Sequence, residues 1–220
     1  MSKKLWGSFV VHASYYFLVG RVSMMKNITL HQATVTRAHR EAQNQHRSIM
    51  LWFTGLSGAG KSSLAHAVEE KLHLQHCRTY VLDGDNVRHG INSDLGFSLH
   101  DRTENLRRVG HIGRLFVDAG VIVLAAFISP LEQDREEIRN LFEQTDFLEI
   151  YCCASIEQCE RRDTKGLYAK ARSGEVSEFT GISSPYEVPA NPDLLVETGS
   201  QSLESCVNAV MDMLKDKQIL

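Results

Sequence analysis

Between Gly55 and Ser62 the chain reads GLSGAGKS, a full match to the pattern G-x-x-x-x-G-K-[ST]. This octet constrains the fold more than any other stretch, because it needs a strand before it and a helix after it. The flanking residues supply both. Met50 to Thr54 (MLWFT) is the short apolar run of a strand buried on both faces. From Ser63 to Leu74, the residues Leu64, Ala67, Val68, Lys71 and Leu72 fall at helical spacing. Glycines let successive N–H groups face phosphate oxygens, and a helix N-terminus adds free donors and a positive dipole end. Gly55, Leu56, Ser57, Gly58, Ala59, Gly60, Lys61, Ser62 and Ser63 are therefore expected to hold ATP or another nucleoside triphosphate. Lys61 would reach the β- and γ-phosphates, and the Ser62 hydroxyl would hold Mg2+. The bland alternative is a glycine turn that binds nothing.

The remaining text alternates strand and helix. Strands are expected at 79–82, 121–127, 147–152 and 194–196, and helices at 104–119, 131–142, from 155, and at 203–214. Such alternation calls for an α/β fold, a P-loop NTPase-like parallel sheet with helices on both faces. Residues 163–192 show no clear period and are long for a connection, so they read as a lid segment. The chain of 220 residues is large enough for one such domain without disulfides. A net charge of -3 argues against a nucleic-acid partner held by a strong field. Five cysteines with no C-x-x-C pair speak against a zinc ribbon and for free thiols in a reducing, cytoplasmic compartment.

The kinase domain is expected over 49–220, after a polar and mobile arm at 26–48. Residues 1–25 stand apart. Leu5 to Gly20 is an uncharged, mostly apolar run behind Lys3 and Lys4, similar to a signal peptide but without a small-x-small cleavage site. It is short for a membrane span. The reading adopted is an appended leader outside the fold, with no stable membrane association.

A GTPase would carry [NT]-K-x-D, and Asp163-Thr164-Lys165-Gly166 lacks the final aspartate. A small P-loop domain with a lid suits a small-molecule kinase, whose lid excludes water from ATP. Four further pieces follow the P-loop: LDGDNVRHG (82–90), LGFSLHDRTENLRRVG (95–110), FISP (127–130) and KGLYAKARSGE with FTGISSPYE (165–187). In this order they resemble the adenylyl-sulfate kinases, which phosphorylate the 3′-hydroxyl of adenosine 5′-phosphosulfate (APS) to give PAPS in sulfate assimilation. The resemblance covers roughly 49–197.

It implies that Asp85, Asn86, Val87 and Arg88 contact APS, with Asp85 near Mg2+ and the acceptor hydroxyl. It also implies APS contacts from Phe97, Arg102, Thr103, Glu104 and Asn105, from Ile128, and from Glu178 and Phe179, the two rings sandwiching the adenine. Lys165 becomes a lid cation for the ATP phosphates. Ser129 becomes an active-site residue, described in the family as a phosphoserine, beside Lys61 and Asp85 as the catalytic set. Each has a plainer reading. An Asp at 83 or 85 could cap a helix near Val87, Phe97 could anchor a loop, and Ser129 could cap the helix from Leu131. Arg102 with Glu104, and the lid charges, could be solvated. Direct transfer from ATP needs no serine intermediate, and nothing adjacent in sequence would activate one.

The resemblance further implies a homodimer and an association with the ATP sulfurylase that makes APS. The rivals are another small-molecule kinase on the same core and a nucleotide-switched binding protein with no soluble acceptor.

Overall fold

A computed structural model describes His31 and residues 33–220. The apolar run 5–20 and the proposed leader lie outside the described residues. Val35–Leu220 forms one compact unit.

Five parallel strands make the sheet: β1 (Ile49–Thr54), β2 (Thr79–Asp83), β3 (Ile122–Ala126), β4 (Phe147–Cys152) and β5 (Leu194–Val196), in the order β2-β3-β1-β4-β5. The helices are α1 (Arg37–Asn44), α2 (Lys61–Leu74), α3 (Gly84–Arg88), α4 (Leu99–Asp118), α5 (Glu132–Arg139), α6 (Ile156–Arg161), α7 (Leu167–Arg172) and α8 (Leu203–Asp216). Every residue of β1 and β3 is buried, which explains why both read as unbroken apolar runs.

Alternation along β1 divides the core. Ile49, Leu51 and Phe53 face the side covered by Leu64, Val68 and Leu72 of α2 and by Val207, Val210 and Leu214 of α8. Met50 and Trp52 face Leu106 and Val109 of α4 and Ile138 of α5. At Gly113 of α4 a β-carbon would stand 2.0 Å from Met50 Cε, so this helix packs close to the sheet.

The register decides where chemistry can occur. Phe53 of β1 and Asp83 of β2 both pair with Ala126 of β3, so three strands end level with one another. Ligands of open parallel sheets bind beyond such C-terminal strand ends.

Two expectations change. The arm at 26–48 is not a uniformly mobile polar stretch: from Arg37 to Asn44 it is helical, with a capping box between Thr36 and His39. No residue of α1 is buried, so no apolar period announced it. It is held by polar contacts to distant residues. Arg37 pairs with Asp146 and donates to Ser48 O at 2.7 Å, and Glu41 accepts from Ser48 N and Oγ. The segment 163–192 contains the short helix α7, whose six residues are too few to display a period.

Candidate active site

The glycine loop leaves β1 and enters α2 as the motif requires. Gly55, Gly58 and Gly60 have φ of +146°, +76° and +88°, a region that favours glycine. At Gly55 a β-carbon would lie 2.6 Å from Cys152 O, so space as well as dihedral excludes a side chain. Gly60 caps α2 with no side-chain partner, and the first helical hydrogen bond runs from Leu64 N to Gly60 O. The amides of Lys61, Ser62 and Ser63 thus precede the helical ladder, and such groups bind anions. Lys61 is buried and its Nζ donates to Leu56 O at 2.7 Å, inside the loop. Burial lowers its pKa to about 8.

Across the sheet, Asp83 ends β2 and divides its carboxylate between two partners. Oδ1 accepts the amide of Asp85 at 3.0 Å, which caps α3, and Oδ2 accepts the Ser62 hydroxyl at 2.5 Å. The capping aspartate is therefore Asp83, and Asp83 is also the carboxylate at the Ser62 hydroxyl. Asp85 is exposed in the first turn of α3 and pairs with Lys165 of the lid. Asn86 is exposed as well. The side chain of Val87 packs into the core, so only its backbone is available to a ligand.

The second cluster is knitted together by two arginines. Arg88 donates to Gly96 O at 2.8 Å, and its guanidinium lies 4.5 Å from the centroid of the Phe97 ring. Arg102 donates from Nε to Phe97 O, from Nη1 to Thr180 Oγ1 and from Nη2 to Glu178 O, at 2.8–2.9 Å. One guanidinium thus ties the Phe97 turn to the lid beside Phe179. The two rings differ in setting: Phe97 is 69% exposed, whereas Phe179 is 8% exposed and meets Tyr168 edge-on at 4.9 Å. Glu178 takes a left-handed backbone, φ +55°.

Other members of the sequence set turn elsewhere. Thr103 donates to Asp134 Oδ2 at 3.2 Å and lines a cavity of about 130 Å³ with Leu106, Asp134 and Ile138, between α4 and α5. Glu104 accepts from Arg107 and Arg108, and those hydrogen bonds hold its carboxyl down to about 2. Asn105 is buried and accepts from Asn92 Nδ2 at 2.9 Å.

Ser129 lies just past β3, with φ +41° and 2% exposure. Its hydroxyl accepts from Trp52 Nε1 at 3.0 Å and donates to Thr54 Oγ1 at 2.9 Å. Thr54 donates to Ile128 O at 2.8 Å and meets Tyr186 Oη at 3.0 Å. The residue preceding α5 at its cap is Leu131, with no side-chain hydrogen bond, so Ser129 does not cap that helix.

Several residues here escaped the sequence reading. Tyr168 Oη donates to Ser57 O at 2.9 Å, fastening α7 to the phosphate loop. Arg162 approaches the same loop, with Nη1 3.9 Å from where a β-carbon of Gly60 would stand. Asp83, noted in the sequence beside Asp85 but passed over for it, is the last residue of β2. Among the described residues no three His, Cys, Asp or Glu side chains cluster as a metal site. Ser62 and Asp83 together fit Mg2+, which is commonly held by one carboxylate, substrate phosphates and water.

Comparison with known proteins bears on the same stretch of chain. The family model described as adenylylsulphate kinase matches residues 47–197. The chain is 58% identical over 194 residues to the adenylyl-sulfate kinase of Acaryochloris marina, covering 88% of this chain and 95% of that protein. It is 55% identical to the adenylyl-sulfate kinase of Geotalea daltonii, covering 88% and 96%. Among solved structures, the Mycobacterium tuberculosis APS kinase CysC in complex with AMPPNP and APS superposes with a TM-score of 0.72 at 49% identity. That match covers 77% of this chain and 99% of the other.

Proposed function

Since the chain belongs to the adenylylsulphate kinase family, we propose that it transfers the γ-phosphoryl group of ATP to the 3′-hydroxyl of adenosine 5′-phosphosulfate, giving PAPS and ADP. The observation that carries this reading is the hydrogen bond from Ser62 to Asp83. It joins the phosphate loop on β1 to the strand end that opens the first acceptor motif, so donor and acceptor halves of the site meet at one contact.

In this reading Gly55 to Ser63 wrap the ATP phosphates with backbone amides, and Lys61 adds a cation. Ser62 and Asp83 would hold Mg2+, which would supply neutralisation of the phosphate charge. Because phosphoryl transfer has a loose transition state, positioning and charge matter more than a strong base. Asp85 accordingly orients the acceptor hydroxyl, and Lys165 moves from Asp85 to phosphate oxygens as the lid folds over. Phe97 and Phe179 flank the adenine, with Arg88, Asn86 and the Ile128 backbone lining the pocket. Arg102 holds the two ring-bearing segments together. Ser129 shapes the wall: its hydroxyl meets Trp52 Nε1, Thr54 Oγ1 and Phe127 O, and no carboxylate or histidine among these partners could activate it.

The same proposal places the protein in the cytoplasm, supported by five free cysteines, and as a homodimer associating with ATP sulfurylase. Among the described residues no helix is long and apolar enough to cross a membrane.

The test is product formation from MgATP with APS, AMP, adenosine or gluconate as acceptor. PAPS formation that vanishes in Lys61→Ala and falls sharply in Phe97→Ala is the expected result. ATP binding without turnover of APS would remove the proposal and leave a nucleotide-binding switch.

A further inference from the structure

Arg135 of α5 is 3% exposed and was not singled out by any motif, yet each nitrogen of its guanidinium is used. Nε lies 2.8 Å from Glu149 Oε1 on β4, Nη1 donates to Ser129 O at 2.8 Å, and Nη2 donates to Glu187 O at 2.9 Å. Glu187 answers twice: its amide donates to Pro130 O at 2.8 Å, and its Oε2 accepts from Glu132 N at 2.7 Å. Three hydrogen bonds therefore join residues 130–135 to a single residue at the returning end of the lid. Beside it, Tyr186 meets Thr54 at the end of β1.

The strand end that Arg135 holds is not a relaxed one. Ser129 has φ +41°, a conformation that a non-glycine residue keeps only where its surroundings over-determine it. Trp52 and Thr54 fix its side chain, and Arg135 fixes its carbonyl. In the functional reading above, the adjoining residue, Ile128, presents backbone to the acceptor. The fork of a guanidinium can meet a carboxylate and two carbonyls at once, and a lysine ammonium cannot span all three.

We propose that Arg135 is a positioning residue for the acceptor: paired with buried Glu149, it locks the Ile128–Ser129 wall of the pocket to the returning end of the lid at Glu187. The moving part of the lid then ends before Tyr186, and Arg135 touches neither substrate. This inference rests on the functional reading above.

The test is steady-state kinetics with MgATP and APS on the full chain, alongside thermal unfolding. In Arg135→Lys the KM for APS is expected to rise about tenfold, the worth of roughly one charge-assisted hydrogen bond, with the KM for MgATP unchanged. The double variant Arg135→Met with Glu149→Met removes the buried pair without stranding either charge, a replacement proteins often tolerate. It is expected to melt near the parent and still show the raised KM for APS. An unchanged KM for APS in Arg135→Lys would overturn the inference, as would equal rises in both KM values. Recovery of APS affinity in the double variant would do the same, because Arg135 would then serve only to balance Glu149. A parent chain that does not turn over APS would instead defeat the functional reading, and this inference with it.

Discussion

Replacing Asp83 with Asn separates the two uses of that side chain, because Oδ1 caps α3 while Oδ2 takes the Ser62 hydroxyl. Asn caps helices about as well as Asp, so unfolding free energy is expected to change by no more than about 0.5 kcal/mol. The charge beside Ser62 is lost, and kcat is expected to fall on the order of a hundredfold, as when one preorganised electrostatic contact is removed. Denaturant melts and initial rates on Asp83→Asn check both halves. An active variant would return the metal-side role to Asp85. The residue scale also explains why the cysteines take no part: burial pushes the Cys152 thiol up to about 12, so it stays protonated and packs as an apolar group.

At the scale of elements, α1 offers the clearest stability test. Its contacts reach Ser48, just before β1, and Asp146, just before β4, so it docks where strands begin and the site lies where they end. Arg37→Ala strands buried Asp146, leaving it only Arg47 at 3.4 Å. A loss of about 2–3 kcal/mol is expected, below the usual cost of breaking a buried pair because Arg37 is partly exposed. The folded fraction should keep the parent KM for both substrates. Glu41 gives the pH sign. Burial alone would raise its carboxyl, but hydrogen bonds from Ser48 and the Arg37 charge outweigh that and hold it below its usual range. A depressed carboxylate contributes stability that is present above its unfolded value and lost as pH falls through the folded one. Arg37→Ala should therefore unfold less steeply in acid, measured by urea midpoints between neutral pH and the carboxylate range.

For the whole molecule, nucleotide binding and folding are linked through Lys61. A ligand at a hundred times its Kd stabilises by about 2.7 kcal/mol, which raises the Tm of a domain this size by roughly 5–10 °C. With Lys61 at about 8 in the free protein, phosphate binds an ammonium already present below that pH. Above it, binding must take up a proton, and affinity falls about tenfold per pH unit. The unfolded chain keeps Lys61 protonated to its ordinary, higher value, so between the two the free protein gains stability at this residue as pH rises. The Tm gain from ATP should thus shrink above pH 8 in the parent, and Lys61→Ala should show no such pH-dependent gain. Calorimetry in two buffers of different ionisation enthalpy would detect the proton taken up.

Much of this was legible in the sequence. The phosphate loop, the five strands and the α/β class followed from GLSGAGKS, from apolar runs and from strand–helix alternation, because those features depend on neighbours in the chain. The level strand ends, by contrast, depend on register between β1, β2 and β3, and only that register brought Asp83 rather than Asp85 to Ser62. The docking of α1 through Arg37, the fastening of the lid by Tyr168 and Arg102, and the clamp of Arg135 on Ser129 and Glu187 were equally hidden. Each includes a polar contact between residues far apart in sequence, and a charged side chain reads as solvent-facing until the fold removes the water around it.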